Sequence, residues 1–374
     1  MRIGIFSQCY LPTNNGVVAS VETFRKELEK HGHQYFIFAP ETPGYEEITT
    51  AAGGPEYVFR FPAFTWPGQK NYPIAWPINR REVIHLIKNL KLDIIHAQHL
   101  FTIGRLGQVV AKELNIPFVF TYHTLIEEYT HYVPLVGSLA KKYIIKMSRD
   151  FCNDSEKIIT PSPSMKKILE GYGVTKPILA IPTGVNIEAL QHPFRRDDIR
   201  QMWGIPENKH ILLYVSRMAK EKNVGFLLEA FRQLVRLREH RLGRIDIHLL
   251  MVGGGPELDS FKKKVTGWGL ESAVTFTDMV KPELAKRYFG VADVFVFPSV
   301  TETQGIVVTE AQAAGVPVVA VNRMGPSDLI KNGEDGYLTD LNVGEFVAKI
   351  NKLLDDSGLR HQMSKSARKN AEQY

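Results

Sequence analysis

Short apolar runs alternate with segments of helical period along the whole chain. That rhythm predicts repeated strand–helix–strand units built around parallel sheets. In the first half the runs predict strands at Arg2–Phe6, Tyr35–Ala39, Asp93–Ala97, Pro117–Tyr122, Lys157–Pro161 and Ile178–Ile181. Helices are expected between them at Val18–His31, Gly104–Leu114 and Ser164–Gly171. The second half repeats the pattern, with strands at His210–Ser216, Ile245–Val252, Ala273–Thr277, Val294–Pro298 and Pro317–Val321. Its helices fall near Val224–Glu239, Pro256–Trp268, Pro282–Val291 and Ile306–Ala314. The halves meet near Pro182-Thr183-Gly184, ahead of a polar stretch reaching about Gly204. The expectation is two α/β domains, 1–182 and 183–374, each an open sheet that binds ligands beyond the carboxyl ends of its strands. Two such domains facing one another would enclose a cleft and close over a ligand.

Two stretches break the rhythm. Arg60–Arg81 is dense in proline and aromatics and reads as too irregular for a core element. Val133–Arg149 sets Leu135, Val136, Leu139, Tyr143, Ile144 and Met147 against Lys141, Lys142, Lys146 and Arg149. This basic amphipathic helix suits an anionic membrane surface, and equally a surface helix whose apolar stripe faces the core.

Composition narrows the class more than the chemistry. At 374 residues the chain has length for two domains and a sizeable core, without disulfides or a structural metal. Cys9 and Cys152 are the only cysteines, too few for a zinc cluster and in keeping with a reducing cytoplasm. Met1 leads directly into an apolar run that reads as a strand rather than a signal peptide, and no apolar run is long enough to span a bilayer. The net charge of +6 permits an acidic partner without selecting one, and most of the surplus falls before Pro182.

The strongest local signal is Pro298-Ser-Val-Thr-Glu302-Thr-Gln-Gly305-Ile-Val-Val-Thr-Glu310. A strand ends, a loop carries Glu302, and a helix starts near Gly305 with Glu310 inside it. Helix-start amides attract anions or hydroxyl oxygens, and carboxylates accept hydrogen bonds from a vicinal diol. Gly305 lets a ligand approach the backbone. The arrangement suits a polyol attached to phosphate. Arg217 and Lys222 follow the first strand of the second half, where a guanidinium and an ammonium match a diphosphate. Tyr10-Leu-Pro-Thr-Asn-Asn15-Gly16-Val17 places a glycine between the first strand and the first helix. It is not G-x-G-x-x-G, and no acidic residue closes the next strand, so a nicotinamide dinucleotide is disfavoured. His123 follows the strand at Pro117–Tyr122 and is suited to a sugar hydroxyl or to a structural hydrogen bond. Gly253-Gly254-Gly255 ends another strand, with simple turn chemistry as the plain alternative. The chain lacks a D-x-D triplet, a Walker A sequence, H-E-x-x-H and a nucleophile elbow. No metal site is expected, and Arg217 with Lys222 would neutralise the diphosphate.

In this order Gly16, Arg217/Lys222 and the Glu302-x7-Glu310 spacing resemble glycosyltransferase family 4, retaining enzymes of the GT-B fold, from Met1 to nearly the end of the chain. Thr121–Tyr132 and Ile181–Asn186 look most like bacterial diacylglycerol glucosyltransferases. The resemblance implies a hexose, glucose foremost, moved from a UDP-sugar to a lipid such as diacylglycerol, with no cofactor, no metal and no nucleic acid. It implies that Arg217 and Lys222 hold the diphosphate and that the Gly16 backbone meets the distal phosphate. Glu310 would hold the ribose diol. Glu302, with the backbone of Gly305, Ile306 and Val307, would hold the transferred sugar. His123 would approach that sugar from the acceptor side, and Val280 would sit against the base. An enzyme of this kind would lie at the inner face of the cell membrane, with Val133–Arg149 as its contact.

Three departures accompany the likeness. Asn15 stands where the family usually has a first glycine, Thr183-Gly-Val-Asn186 replaces a common Asn-Gly-Val-Asp, and with the sequence ending at Tyr374 the usual further terminal helix is expected to be short or missing. Other readings are a family 4 transferase acting on a soluble sugar, a cyclitol or a phosphatidylinositol-type lipid, a sugar-nucleotide epimerase or phosphorylase, and a non-catalytic nucleotide or surface-binding module.

Overall fold

The computed structural model describes residues 1–13, 15–42, 44–45, 57–65, 73–76, 79–125, 137–187, 190 and 192–374. The chain divides into two compact units, Met1–Thr183 and Gly184–Tyr374.

The first unit runs β1 (Arg2–Phe6), α1 (Gly16–Lys30), β2 (Gln34–Pro40), β3 (Val58–Phe61), β4 (Ala63–Phe64), β5 (Ile74–Ala75) and α2 (Arg80–Leu90). It continues with β6 (Ile94–Ala97), α3 (Thr102–Leu114), β7 (Phe118–Thr121), α4 (Gly137–Asn153), β8 (Lys157–Thr160), α5 (Pro163–Gly171) and β9 (Ile178–Ala180). Seven strands form one sheet in the order β3-β2-β1-β6-β7-β8-β9. Every pairing in it is parallel. The core is aromatic at its centre, where Phe38 stacks on Phe6 and Phe59 at centroid distances of 4.4 and 5.1 Å. The order reverses at β1, which has β2 on one side and β6 on the other. Such a switch point opens a crevice between neighbouring strand ends, here between the segments after β1 and β6.

The second unit runs α6 (Arg196–Trp203), β10 (His210–Val215), α7 (Val224–Leu242), β11 (Ile247–Val252), α8 (Leu258–Gly267), β12 (Val274–Phe276) and α9 (Pro282–Arg287). Then follow β13 (Val294–Phe297), α10 (Ile306–Ala313), β14 (Val318–Val321), α11 (Met324–Leu329), β15 (Gly336–Thr339), α12 (Val343–Asp355) and α13 (Ser357–Ala371). Its six-stranded parallel sheet has the order β12-β11-β10-β13-β14-β15. The switch point lies between β10 and β13. Strands β11, β13 and β14 are buried at every position, as expected where helices cover both faces of a sheet.

Every strand and helix expected from the pattern is present, within a few residues at each end, and Pro282–Val291 ends in a separate 3-10 turn. The segment Arg60–Arg81 needs correction. Its first residues complete β3, paired with β2, and Phe61 and Ala75 are buried, so part of it belongs to the core. Residues 66–72 and 77–78 of that segment lie outside the described residues. The polar stretch before Gly204 contains α6, held by the buried Ile199. The last helix, α13, packs on α10, and its Asn370 Nδ2 donates to the Leu329 carbonyl at the end of α11 at 2.7 Å. Among the described residues no helix is long and apolar enough to cross a membrane.

Candidate active site

In the second unit the switch point collects most of the residues singled out from the sequence. Arg217 follows β10, and Lys222 ends a short 3-10 turn at Lys220–Lys222. The two glycines at Gly253 and Gly255 hold the Arg217 loop in place. Both have positive φ, and a Cβ there would stand 2.3 Å from the Ser216 carbonyl oxygen and 2.4 Å from that of Met218. Met218 N–H donates to the Gly254 carbonyl at 2.8 Å, so the two loops form one rigid ledge. The glycine run is therefore a close-packing device rather than turn chemistry alone.

The loop after β13 meets that ledge from the other side. Asn223 Nδ2 donates to the Pro298 carbonyl at 3.1 Å, and Thr301 Oγ1 donates to the Glu221 carbonyl at 3.2 Å. Lys222 forms an ion pair with Glu302, whose Oε1 also accepts from the buried Ser299 hydroxyl at 3.0 Å. Arg217 pairs with Glu221, a carboxylate almost entirely buried beneath a guanidinium that is 44% exposed. Glu221 thus aims the fork outward. Gly305 adopts the left-handed conformation at φ 85° and starts α10, where no carbonyl of the helix itself can satisfy the amides of Ile306 and Val307. The Glu302 carbonyl accepts from Gly325 N–H at 2.9 Å, which fixes the loop against α11. Glu310, inside α10, is buried, and burial pushes its carboxyl above the usual range. Lys286 on α9 opposes that shift from 3.3 Å. Val280 lies past β12, half-buried against the core beside the exposed Met279.

The first unit places Gly16 and His123 at its own switch edge. Gly16 is exposed at the first position of α1, and a side chain there would meet nothing within 4 Å. Asn15 caps this helix, its Oδ1 accepting from Val18 N–H at 2.9 Å while its amide reaches Cys9 Sγ at 3.3 Å. That accounts for asparagine where a glycine is expected. His123 Nε2 lies 2.7 Å from Gln98 Oε1, just past β6. Beside it His96 Nε2 reaches Thr121 Oγ1 at 2.6 Å, and His99 Nδ1 accepts from Gln8 N–H at 3.1 Å. Burial lowers His96 and His99 to about 4. Burial, and then the neighbouring His99 and His96, holds His123 well below its ordinary value. This edge carries neutral imidazoles at neutral pH.

The sequence matches the family model described as Glycosyltransferase Family 4 over residues 14–189, and that described as Glycosyl transferases group 1 over 195–370. It is 32% identical to the alpha-monoglucosyldiacylglycerol synthase of Streptococcus pneumoniae, across 90% of this chain and 75% of that one. The chain belongs to glycosyltransferase family 4. A second relative, the alpha-monoglucosyldiacylglycerol synthase of Acholeplasma laidlawii, is 27% identical over 100% of this chain and 93% of its own. The crystal structure of Anabaena Alr3699/HepE in complex with UDP superposes with a TM-score of 0.78 at 18% identity, covering 100% of this chain and 95% of that one. The two parallel sheets are thus those of a GT-B glycosyltransferase.

Several residues of this family 4 site escaped the sequence reading. Glu221 and Ser299 sit next to motif residues, but only their burial reveals that they orient Arg217 and Glu302. Lys286 carries no sequence signal at all. The stretch 126–136, which includes Tyr129, His131 and the start of the amphipathic segment, lies outside the described residues.

Proposed function

We propose that this glycosyltransferase moves a hexose from a UDP-sugar, UDP-glucose foremost, to the hydroxyl of diacylglycerol, with retention and without a metal. The observation that carries the reading is the Lys222–Glu302 ion pair at the second switch point, flanked by Arg217 and the first amides of α10. An arriving diphosphate competes for Lys222 and Arg217, and releases the Glu302 carboxylate to accept hydrogen bonds from sugar hydroxyls. Glu310 takes the ribose diol, and Val280 lies against the base. As the bond from the sugar C1 to the phosphate oxygen breaks, the two cations stabilise the developing charge. The acceptor oxygen bonds to C1 on the same face, and its proton passes to the leaving phosphate oxygen. The neutral His123 edge of the first unit suits an uncharged hydroxyl acceptor.

The lipid acceptor is supported by the names of the two synthases, which the chain matches over most of their lengths. It is supported also by α4, the described part of the amphipathic segment. Leu139 and Tyr143 on it are 71% and 67% exposed, and Lys142 and Lys146 share their face. Toward its end Phe151 and Cys152 are buried, so α4 is core-packed at one end and apolar-basic toward solvent at the other. That geometry suits a peripheral contact with anionic lipid at the inner face of the membrane.

The test is transfer from UDP-glucose to diacylglycerol in vesicles with and without anionic lipid. Glucosyl-diacylglycerol should form, faster on anionic vesicles. Glu substitutions at Lys141, Lys142 and Lys146 should weaken vesicle co-sedimentation about a hundredfold or more, at about 1 kcal/mol per lost basic residue. If UDP-glucose is not consumed with this acceptor, the substrate assignment is wrong. If the triple variant sediments like the parent, the membrane role of α4 is wrong.

A further inference from the structure

We propose that Lys286 is a positioning residue for the donor nucleotide, keeping the carboxyl of Glu310 ionised so that it can accept both hydroxyls of the ribose. The inference rests on the assignment of Glu310 to the ribose diol and adds a residue from a different element. Glu310 is 7% exposed, and a carboxyl so placed favours its neutral form. A neutral carboxyl carries a proton on one oxygen, whereas two diol hydroxyls need two acceptor oxygens. The Lys286 ammonium lies 3.3 Å from Glu310 Oε1 and is itself 30% exposed, so water solvates its outer side while it supports the buried carboxylate.

The neighbouring ionisable groups leave this task to Lys286. On α9 the Arg287 guanidinium is occupied elsewhere, with Nε donating to the His192 carbonyl at 2.9 Å and the group stacked on Phe194 at 4.2 Å. Lys281, Glu283 and Tyr288 complete the ionisable residues around that helix. Glu310 is the only ionisable side chain of α10, and β13 and β14 carry none. Asp328 on α11 and Arg360, His361, Lys365, Arg368 and Lys369 on α13 belong to the other packed elements. Of all these, only Lys286 acts on the Glu310 carboxyl. Raising the pH ionises Glu310, so ribose recognition strengthens with pH up to the carboxyl's own titration and is level above it. Lys286 opposes the effect of burial and so draws that break to lower pH.

The experiment measures binding of UDP and of 2′-deoxyuridine diphosphate by calorimetry from pH 5.5 to 8.5. The proteins compared are the parent, Glu310→Gln, Lys286→Gln and Lys286→Arg, all full length. The parent should prefer UDP about tenfold, the size of one good hydrogen bond to a charged group, across the range. Glu310→Gln should lose that preference at every pH. Lys286→Gln should lose it at the acid end and regain it as pH rises, with the break moved up by at least one unit, and Lys286→Arg should restore the parent profile. A Lys286→Gln profile that superposes on the parent overturns the proposal. So does a uniform loss for both ligands at all pH values, which would make Lys286 a direct ligand contact. If Glu310→Gln keeps the preference for UDP, the ribose assignment itself fails and Lys286 falls with it.

Discussion

The two switch points occupy equivalent places in two parallel sheets, yet their chemistry differs in kind. At the carboxyl ends of β1, β6 and β7 the first unit presents His96, His99 and His123, imidazoles held neutral by burial, with Gln8 and Gln98. After β10 and β13 the second unit presents ion pairs, Arg217–Glu221 and Lys222–Glu302, with Lys286–Glu310 close behind. The fold supplies a crevice in both cases. What differs is whether the side chains are exchangeable charges or fixed dipoles. Paired charges suit a ligand that brings its own charge, because a phosphate can take the place of Glu302 on Lys222, while Glu221 stays buried beneath Arg217 and leaves the outer face of its fork open. Neutral imidazoles and amides suit an uncharged hydroxyl, which would gain little from a full charge and would have to desolvate it.

The sharpest way to break this contrast is at Lys222. On the proposed reading, Lys222→Ala takes a cation away from the leaving diphosphate and leaves Glu302 without its ammonium, so kcat should fall about 10²–10³-fold. Glu302→Ala should remove turnover to a similar or greater degree. Because the two residues form one pair, the double variant should be far less harmful than the product of the single losses. His123→Asn should leave UDP affinity within about threefold of the parent while slowing transfer, a change of well under one kcal/mol in donor binding. Equal losses of donor affinity at Lys222 and His123 would show that the division of labour between the units is wrong.

The legibility of the chain follows the same division between local and tertiary causes. Strands covered on both faces carry unbroken runs such as Val294–Phe297 and Val318–Val321, so both sheets could be read from apolar runs alone. Elements with sparse apolar content were harder. Helix α6 buries only Ile199 and the stem and guanidinium of Arg200, whose fork is taken up by the Pro206 and Lys209 carbonyls, and this leaves almost no period to detect. Strand β3 hides at the border of a proline-rich segment, because its pairing with β2 is decided by the sheet edge rather than by its own pattern. In the site, Glu302 and Glu310 were legible because one strand–loop–helix unit sets their spacing. Glu221 and Lys286 were not, since their meaning comes from burial and from a partner on another element.

Acid should separate the two units in stability. His96 and His99 have folded values of about 4, and His123 is also held far down, against an unfolded value of about 6.5. Between those limits the unfolded chain binds more protons, so stability is present above pH 6.5 and is lost as pH falls toward 4. Each histidine contributes at most about 1.4 kcal/mol per pH unit in that window. The second unit has His248, also lowered to about 4, but Asp335, raised to about 6, acts in the opposite sense there. Hydrogen exchange from pH 7 to 4.5 should therefore show protection lost first in β1, β6 and β7. Parallel loss in both units, or earlier loss in β10 and β13, would contradict the assignment of neutral imidazoles to the first.

The smallest effect expected concerns Asn15, where this chain departs from the family's usual glycine. The Asn15 side chain satisfies an amide of the first turn of α1 and touches Cys9, whose thiol burial pushes up to about 11. Asn15→Ala removes the cap and should cost about 1 kcal/mol, read as a shift in the urea midpoint. Asn15→Gly should cost only a few tenths, because glycine is itself tolerated at that position. Both substitutions leave Gly16 and its amide in place, and neither touches the ion pairs of the second unit. Donor affinity should then stay close to the parent for Asn15→Gly. A large loss of UDP-sugar binding in Asn15→Gly, with stability nearly unchanged, would instead make the Asn15 side chain a ligand contact and extend charge-related recognition to the neutral edge.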